Sequence, residues 1–410
     1  MFSRDSWQEI FETISKNKLR TFLSGFTVAL GIFIFVLLFG LGNGLKNSFK
    51  EFFIDDATNV IRIFPGRTTK PYKGFESGRT IEFRNDDLAA IEDNFSFQLA
   101  YITPRITRNS SVTYKNNSNN YGLRAVAPAH AQAEKTIMMK GRFINQLDVL
   151  NKTKYAVIGR LVEQDLFEKE SALGKFMHIG NRAYRVIGVF QDDGGDNEER
   201  YVYIPYTTNQ LVEKNTDKIG QIIIGFKPEI GYQGSLLLEK KMLSFLKEKH
   251  HVKPSDPKAI NMRNVADQMN KNQQFGTALQ WIVTFVGLGT LIAGVIGISN
   301  IMVFVVKERT KELGVRKAIG ATPRAVIAMI LQESIFITTA AGYTGLLAGV
   351  FLLQTIGTSL AEGYFIKNPY INMGTAIFST VILIFFGALA GYVPARKAAK
   401  IKPIEALRSK

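Results

Sequence analysis

The chain has no cysteine among its 410 residues. That excludes disulfides, thiolate metal sites and a cysteine nucleophile. Histidine is almost as scarce: His130, His178, His250 and His251 are too few and too scattered for a metal cluster. No G-x-x-x-x-G-K-[ST] run occurs, so the chain carries no phosphate-cradling loop of its own. Gly174-Lys175 lacks the upstream glycine and the hydroxyl, and Gly40-Leu-Gly-Asn-Gly-Leu-Lys46 closes an apolar run. Neither G-x-S-x-G nor H-E-x-x-H is present. The carboxylates form no pairing visible in the sequence, and a non-catalytic protein with no bound cofactor is expected.

Charge is what four stretches lack. Residues 21–45, 272–306, 334–361 and 368–395 are uncharged over 25, 35, 28 and 28 positions. A spanning helix needs about 20 apolar residues, so the expectation is a membrane protein with four transmembrane α-helices. Their bounds are set at 21–45, 272–306 with a stalk, 323–355 and 372–394. The first run exceeds a signal-peptide core of roughly 7–15 residues, and no A-x-A-like site follows it, so it reads as a retained anchor.

The net charge of +16 fits a nucleic-acid or a membrane-surface partner. Its distribution decides. Residues 307–324 carry six basic and two acidic side chains, and 396–410 carry six and one. By the positive-inside rule both termini and the 307–322 segment are cytoplasmic, and residues 46–271 lie outside. The excess is largely topology signal, so no nucleic acid is expected. The tail is 395–410, and 356–371 is a short outer loop. In residues 1–20, Phe2, Trp7, Ile10, Phe11 and Ile14 recur at helical spacing ahead of Lys16, Lys18 and Arg20. They predict an amphipathic helix on membrane lipid, on its own protein, or on both.

The second run spans roughly 50 Å as a helix, against about 30 Å of hydrocarbon. The excess is taken up by a stalk or by tilt. The outer block reads as a large α+β domain. Strands are expected at 59–64, 98–115, 121–127, 155–158, 176–179, 184–190, 201–204, 222–226 and about 260–263. Asn116–Asn120 is expected as a turn, and a helix at 86–92 is expected to be capped by Asn85 or Asp86. A helix at 236–249 presents Leu236, Leu237, Met242, Leu243 and Leu246 as its apolar set. The ends, 56–120 and 218–264, form a βαβ lobe, and 121–217 a β-rich insertion. Asp192–Glu199 does not fit calcium-loop spacing and reads as a solvated mobile loop.

In the 307–322 segment Glu312 and Arg316 stand at the favoured i, i+4 order. Gly320 suits a helix C′ position, Thr322 an N-cap and Pro323 the first helical position. The pattern alone leaves a solvated turn or a docking helix. The run from Ile296 to Ala321, including Lys307-Glu-Arg-Thr-Lys-Glu-Leu-Gly-Val-Arg-Lys317, resembles the FtsX-type permease signature, in the form found in the macrolide-exporter (MacB) branch of ABC transporters. Pro394–Arg408 is similar to that family's C-terminal motif, and Asn17-Lys-Leu-Arg-Thr-Phe-Leu23 to its entry into the first membrane helix. Gly141-Arg-Phe143, Ala156-Val-Ile-Gly159, Leu173-Gly-Lys175 and Tyr184-Arg-Val-Ile-Gly-Val189 are similar to its periplasmic core domain.

The resemblance implies a permease of the bacterial inner membrane whose outer block has a porter-like lobe (56–120 and 218–264) and a sabre-like lobe (121–217). It implies a second permease, as homo- or heterodimer, and a cytoplasmic ATPase holding ATP and Mg; macrolide exporters carry that ATPase fused at the N-terminus, and here, in departure from that pattern, it is expected on a separate chain. It also implies a periplasmic adaptor and an outer-membrane channel. The ATPase-coupling residues it points to are Lys307, Glu308, Arg309, Thr310, Lys311, Glu312, Leu313, Gly314, Arg316 and Lys317. Three roles stay open: export, lipoprotein release, and mechanical regulation of a wall hydrolase or sensor. Within the membrane, Glu333 is a structural hydrogen-bonding partner or a proton group. Asn300 is interhelical glue or a substrate contact, and Gly345 and Gly349 permit close helix packing within one chain or across a dimer seam.

Overall fold

The computed structural model describes residues 18–52, 58–192, 195–363, 366, 368–371 and 373–402. The amphipathic segment expected over residues 1–20 lies almost wholly outside them. The chain divides into two compact units, Met1–Phe49 with Gln273–Lys410, and Lys50–Asn272.

The first apolar run forms helix α1 (Lys18–Phe52). The second unit then opens with β1 (Val60–Pro65), β2 (Phe83–Arg84), helix α2 (Asn85–Phe95), β3 (Leu99–Tyr114) and β4 (Asn117–Val126). After these come α3 (His130–Ala133), β5 (Ile137–Gly141), α4 (Gln146–Leu150), β6 (Tyr155–Gly159), α5 (Arg160–Phe167), β7 (Phe176–Ile179) and β8 (Arg182–Gln191). The unit closes with β9 (Tyr201–Pro205), α6 (Tyr206–Val212), β10 (Lys218–Ile219), β11 (Gln221–Phe226), α7 (Gly231–Lys249) and β12 (Ile260–Asn264).

Ten strands join one mixed sheet in the order β12-β1-β11-β3-β4-β9-β6-β8-β5, with β7 beside β3 and β8. The pairs β4/β9 and β6/β8 are parallel and the other pairs antiparallel. Strand β3 is long enough to serve both halves, an inner one of β12, β1 and β11 and an outer one of β4, β9, β6, β8, β5 and β7. Leu99–Arg105 pairs with β11, and Arg105–Tyr114 pairs with β4.

Alternation along each strand sets two faces. Ile61 and Ile63 enter a core with Ile91, Phe226, Leu238, Met242 and Leu246, under α2 and α7. The outer half has its own core, where Leu123, Ile158 and Val189 meet Val162 and Leu166 of α5. On the opposite face of the inner half, Val60 and Ile223 pack with Ala133 of α3 and with Val265.

Several expectations are corrected here. The turn after β3 is Lys115-Asn116, with Tyr114 opposite Asn117, so Asn117–Asn120 are strand residues. Lys115 takes a left-handed φ of 51°, which a two-residue hairpin needs. Neither Asn85 nor Asp86 caps α2: Arg84 precedes it, and its amide donates to Asp87 Oδ2 at 2.9 Å. Asn85 instead exchanges amide bonds with Gln210. On α7 the buried stripe is Ser235, Leu238, Met242 and Leu246, and Leu237 is 62% exposed. The 121–217 insertion contains four helices besides its strands. Asp192, Glu198 and Glu199 are not a solvated loop. Asp192 and Glu199 are buried, Glu199 pairs with Arg160 at 2.7 Å, and Glu198 pairs with Arg124.

The remaining helices are α8 (Val265–Glu308), α9 (Thr310–Ala318), α10 (Pro323–Gly363) and α11 (Met373–Ala399). Among the described residues, Thr21–Ser48, Val265–Glu308 and Pro323–Gly357 are long and apolar enough to cross a membrane. Glycines bring the helices of this unit together. A Cβ on Gly287 would meet the Phe35 ring, and one on Gly40 would meet Leu353, so α1 packs against both α8 and α10. Ser334 donates to the Gly387 carbonyl at 2.9 Å and ties α10 to α11.

Candidate coupling site

The segment between α8 and α10 is built from local chain signals. Helix α8 ends at Glu308, and α9 begins one residue later. Gly320 follows α9 at φ 108°, a conformation that glycine adopts without a Cβ penalty. Thr322 Oγ1 then accepts from the Ala325 amide at 3.3 Å, and Pro323 opens α10. The stop signal and the start signal therefore act where the sequence placed them.

Helix α9 has two unlike faces. Leu313 and Gly314 are buried. Three cations on the same side reach the neighbouring helices. Arg309 donates to Glu333 Oε2 of α10 at 3.5 Å. Arg316 donates to the Met329 sulfur of α10 at 2.9 Å and to Glu312 at 2.8 Å. Lys317 Nζ donates to the carbonyls of Ala399 and Ile401 at 2.7 Å each. Ala399 is the last residue of α11 and Ile401 lies two residues beyond it, at the helix end where the dipole favours a cation. Thr310 Oγ1 donates to the Lys307 carbonyl at 2.7 Å and smooths the break after α8.

The other face is open. Glu308, Lys311, Val315 and Ile319 recur at spacings of three and four, and all are exposed. Val315 is 42% exposed and Ile319 83%. An apolar pair with charges on its flank, on a helix held from behind, is a docking surface in form.

The polar and glycine residues singled out on the apolar helices separate. Glu333 is buried at 3% exposure and faces Arg309 of the 307–322 segment. Asn300 is exposed on α8. Gly345 backs onto the Ala29 carbonyl of α1, and Gly349 onto Val36 and the Phe33 carbonyl, so both lie at a seam inside one chain. Sequence reasoning missed the partners Met329, Ala399 and Ile401. A lysine near the next helix's end was the available signal, but only the fold brings position 317 beside 399. Among the described residues no group of three His, Asp or Glu side chains is placed to hold a metal.

Comparison with known proteins agrees with this layout. Residues 21–231 match the MacB-like periplasmic core domain, and residues 284–403 match the FtsX-like permease C-terminal domain. The macrolide export ATP-binding/permease protein MacB of Bdellovibrio bacteriovorus is 30% identical over 404 residues, which is 97% of this chain and 60% of that protein. Its namesake in Wolinella succinogenes is 28% identical over 406 residues, with the same shares. The chain thus spans about 60% of the length of these relatives. Among solved structures, the periplasmic region of MacB from Actinobacillus actinomycetemcomitans gives a TM-score of 0.44 at 21% identity, covering 54% of this chain and 95% of that one. The extracellular domain of the transporter YknZ from Gram-positive bacteria gives 0.42 at 16% identity, covering 50% and 100%. With one family domain over half of its length and the second over its C-terminal helices, the chain belongs to the MacB-like, FtsX-type ABC transporter permeases.

Proposed function

We propose that the chain is the permease subunit of a MacB-type ABC transporter, with four membrane-spanning helices, both termini in the cytoplasm and residues 46–271 in the periplasm. The division of that block into porter-like and sabre-like lobes belongs to the same reading. A separate cytoplasmic ATPase binds and hydrolyses ATP with Mg, and a second permease completes the complex. The work serves export of a substrate through an adaptor and outer-membrane channel, in line with the macrolide export printed in the relatives' names.

The observation that carries the reading is the two-faced α9. Its exposed stripe of Lys311, Val315 and Ile319 receives the ATPase. Its opposite side, through Arg309, Arg316 and Lys317, is fastened to α10 and α11. ATP-driven closure of the partner pushes α9, and α10 and α11 receive that push through these part-buried bonds. The displacement passes along the long helices to the outer block, so no substrate path through the helices is needed.

The test is purification of the tagged chain in mild detergent, followed by mass spectrometry of what stays bound. An ATPase with an adaptor supports export. An ATPase with a wall hydrolase, or with a different permease, moves the role to regulation or to lipoprotein release. Val315→Asp with Ile319→Asp alters only exposed side chains and is expected to abolish ATPase recovery while the chain stays folded. Retention of the ATPase by that double variant overturns the docking assignment.

A further inference from the structure

The face of the sheet opposite the α2/α7 core carries an unusual load. Arg62 on β1, Arg105 on β3, Gln221 on β11 and Arg124 on β4 all lie among apolar strand residues. A guanidinium buried there is costly unless it is paired and hydrogen-bonded. A single carboxylate serves three of them. Glu134, immediately after α3, accepts from Arg62 at 3.0 Å and Arg105 at 3.2 Å on one oxygen, and pairs with Arg124 at 3.7 Å through the other. All four side chains are 15% exposed or less.

The residues on either side of Glu134 belong to different halves of the sheet. Arg105 Nε donates to Gln221 Oε1 at 2.8 Å, within the inner half. Arg124 lies over the Tyr201 ring at 3.6 Å and forks onto Glu198 at 2.7 and 3.3 Å, within the outer half. Burial opposes the charge on Glu134, but the neighbouring His130, which is charged only in acid, and the guanidiniums of Arg62, Arg105 and Arg124 outweigh it and hold its carboxyl down at about 2. Burial drives the enclosed His130 imidazole down to about 3, so it stays neutral and adds no competing charge at neutral pH.

The preceding residue, Ala133, shares one buried cluster with Val60, Ile223 and Val265, and Met269, also in the first turns of α8, packs against that cluster. Helix α7 grips the same turns from its own side, with Tyr232 donating to Asp267 at 2.9 Å. The root of α8 therefore shares its apolar cluster with the inner half and with α3, and Glu134, the residue after α3, reaches Arg124 of the outer half.

We propose that Glu134 is a positioning residue, the joint that couples the root of α8 to the outer half of the sheet through Arg124. Displacement of Val265 and Met269 shifts α3, and Glu134 hands that shift to β4, β9 and Glu198. The use of this joint rests on the mechanical reading above; the joint itself is a property of the outer block and is measured without an ATPase.

The absence of cysteine makes the measurement clean. In the full chain in detergent, spin labels at Lys271→Cys and Lys169→Cys report the distance from the α8 root to the outer half. A second pair, at Lys154→Cys and Lys169→Cys, reports the outer half alone. Glu134→Gln keeps the shape and removes the charge. The expected result is a first distribution at least about twofold broader and a second one unchanged. Glu134→Asp, which keeps the charge on a shorter stem, is expected to fall between. Adding Arg105→Gln to Glu134→Gln restores the native charge balance and is expected to narrow the first distribution again. Broadening of both pairs makes Glu134 a general stability residue and overturns the joint. No broadening of either pair overturns it as well.

Discussion

Replacing Gly345 by alanine isolates the α1–α10 contact. An ideal Cβ at Gly345 falls 2.1 Å from the Ala29 carbonyl oxygen, 2.8 Å from its carbon and 2.9 Å from its Cα. All three are backbone atoms, so no rotamer relieves the clash. Reaching an ordinary carbon–oxygen separation of about 3.3 Å requires the helices to part by about 1 Å. Overpacking of this kind costs about 1–3 kcal/mol. Alanine's better helix propensity returns about 1 kcal/mol. Gly289→Ala supplies the control, because nothing lies within 4 Å of its added Cβ. It receives the propensity gain alone. The propensity gain cancels between them, so the two variants should differ by about 1–3 kcal/mol in unfolding free energy. Gly349→Ala should lie between them, since its Cβ would meet the Val36 side chain at 2.5 Å and that chain can yield in part. Unfolding of the purified chain by SDS titration in mixed micelles gives the three values. Equal stability of the Gly345 and Gly289 variants would refute the close approach of α1 and α10.

Acid should unfold the outer block first. The Glu134 carboxyl is held at about 2 against an ordinary 4.5, because His130 and the guanidiniums of Arg62, Arg105 and Arg124 outweigh its burial. Asp256 is held at about 2 against 3.8, because amides of Thr69, Lys70 and Lys258 outweigh its burial. Both stabilise the fold fully above their ordinary values and lose that effect as pH falls through the lowered ones. Burial of His130 acts in the same direction, from its ordinary 6.5 down to about 3. Near-ultraviolet circular dichroism should show stability falling from about pH 6 downward; a flat profile from pH 7 to 3 contradicts these assignments. Lys317→Met removes two charged hydrogen bonds and should cost the helical unit about 1.5–3 kcal/mol, read by the same SDS titration. Asp256→Asn should expose the 66–70 segment to faster hydrogen exchange, because a neutral amide accepts less strongly from the Thr69 and Lys70 amides.

The helical elements were legible because their signal is an absence. A stretch of 25 or more positions without charge has few solutions besides a buried or membrane-spanning helix. The Gly320, Thr322 and Pro323 punctuation was equally local, and the fold uses each residue as the chain pattern implied. The hairpin failed for a physical reason. Asn-rich runs favour turns, but β4 needs Asn117–Asn120 to extend its pairing to the end of β3, and the tight Lys115-Asn116 turn suffices. On α7 the position of Leu238 decided the buried stripe, one residue away from Leu237, and only the packing of β12 and β1 below it fixes that rotation. The Glu134 cluster was missed because its members stand at 62, 105, 124 and 134 on separate elements. Its one trace in the sequence is an arginine inside each of the runs Val60-Ile-Arg-Ile63 and Leu123-Arg-Ala-Val126, where alternation with apolar neighbours places a charge on a covered face.

Strand order also sets an order of folding. The outer half draws β4, β6, β8 and β9 from residues 117–205 and closes on itself soon after it is made. Strand β1 is made before all of them, yet its two partners, β11 and β12, come from residues 221–226 and 260–264. Until those arrive, Ile61 and Ile63 sit on a strand with both edges unpaired, the kind of surface on which nascent chains associate wrongly. Strand β12 is also the last element before α8, so the sheet is completed as a helix long and apolar enough to cross a membrane begins. A slow step in closing β1 would thus delay insertion of α8, and mutations in β12 should show themselves as defects of membrane assembly before they show as loss of outer-block stability.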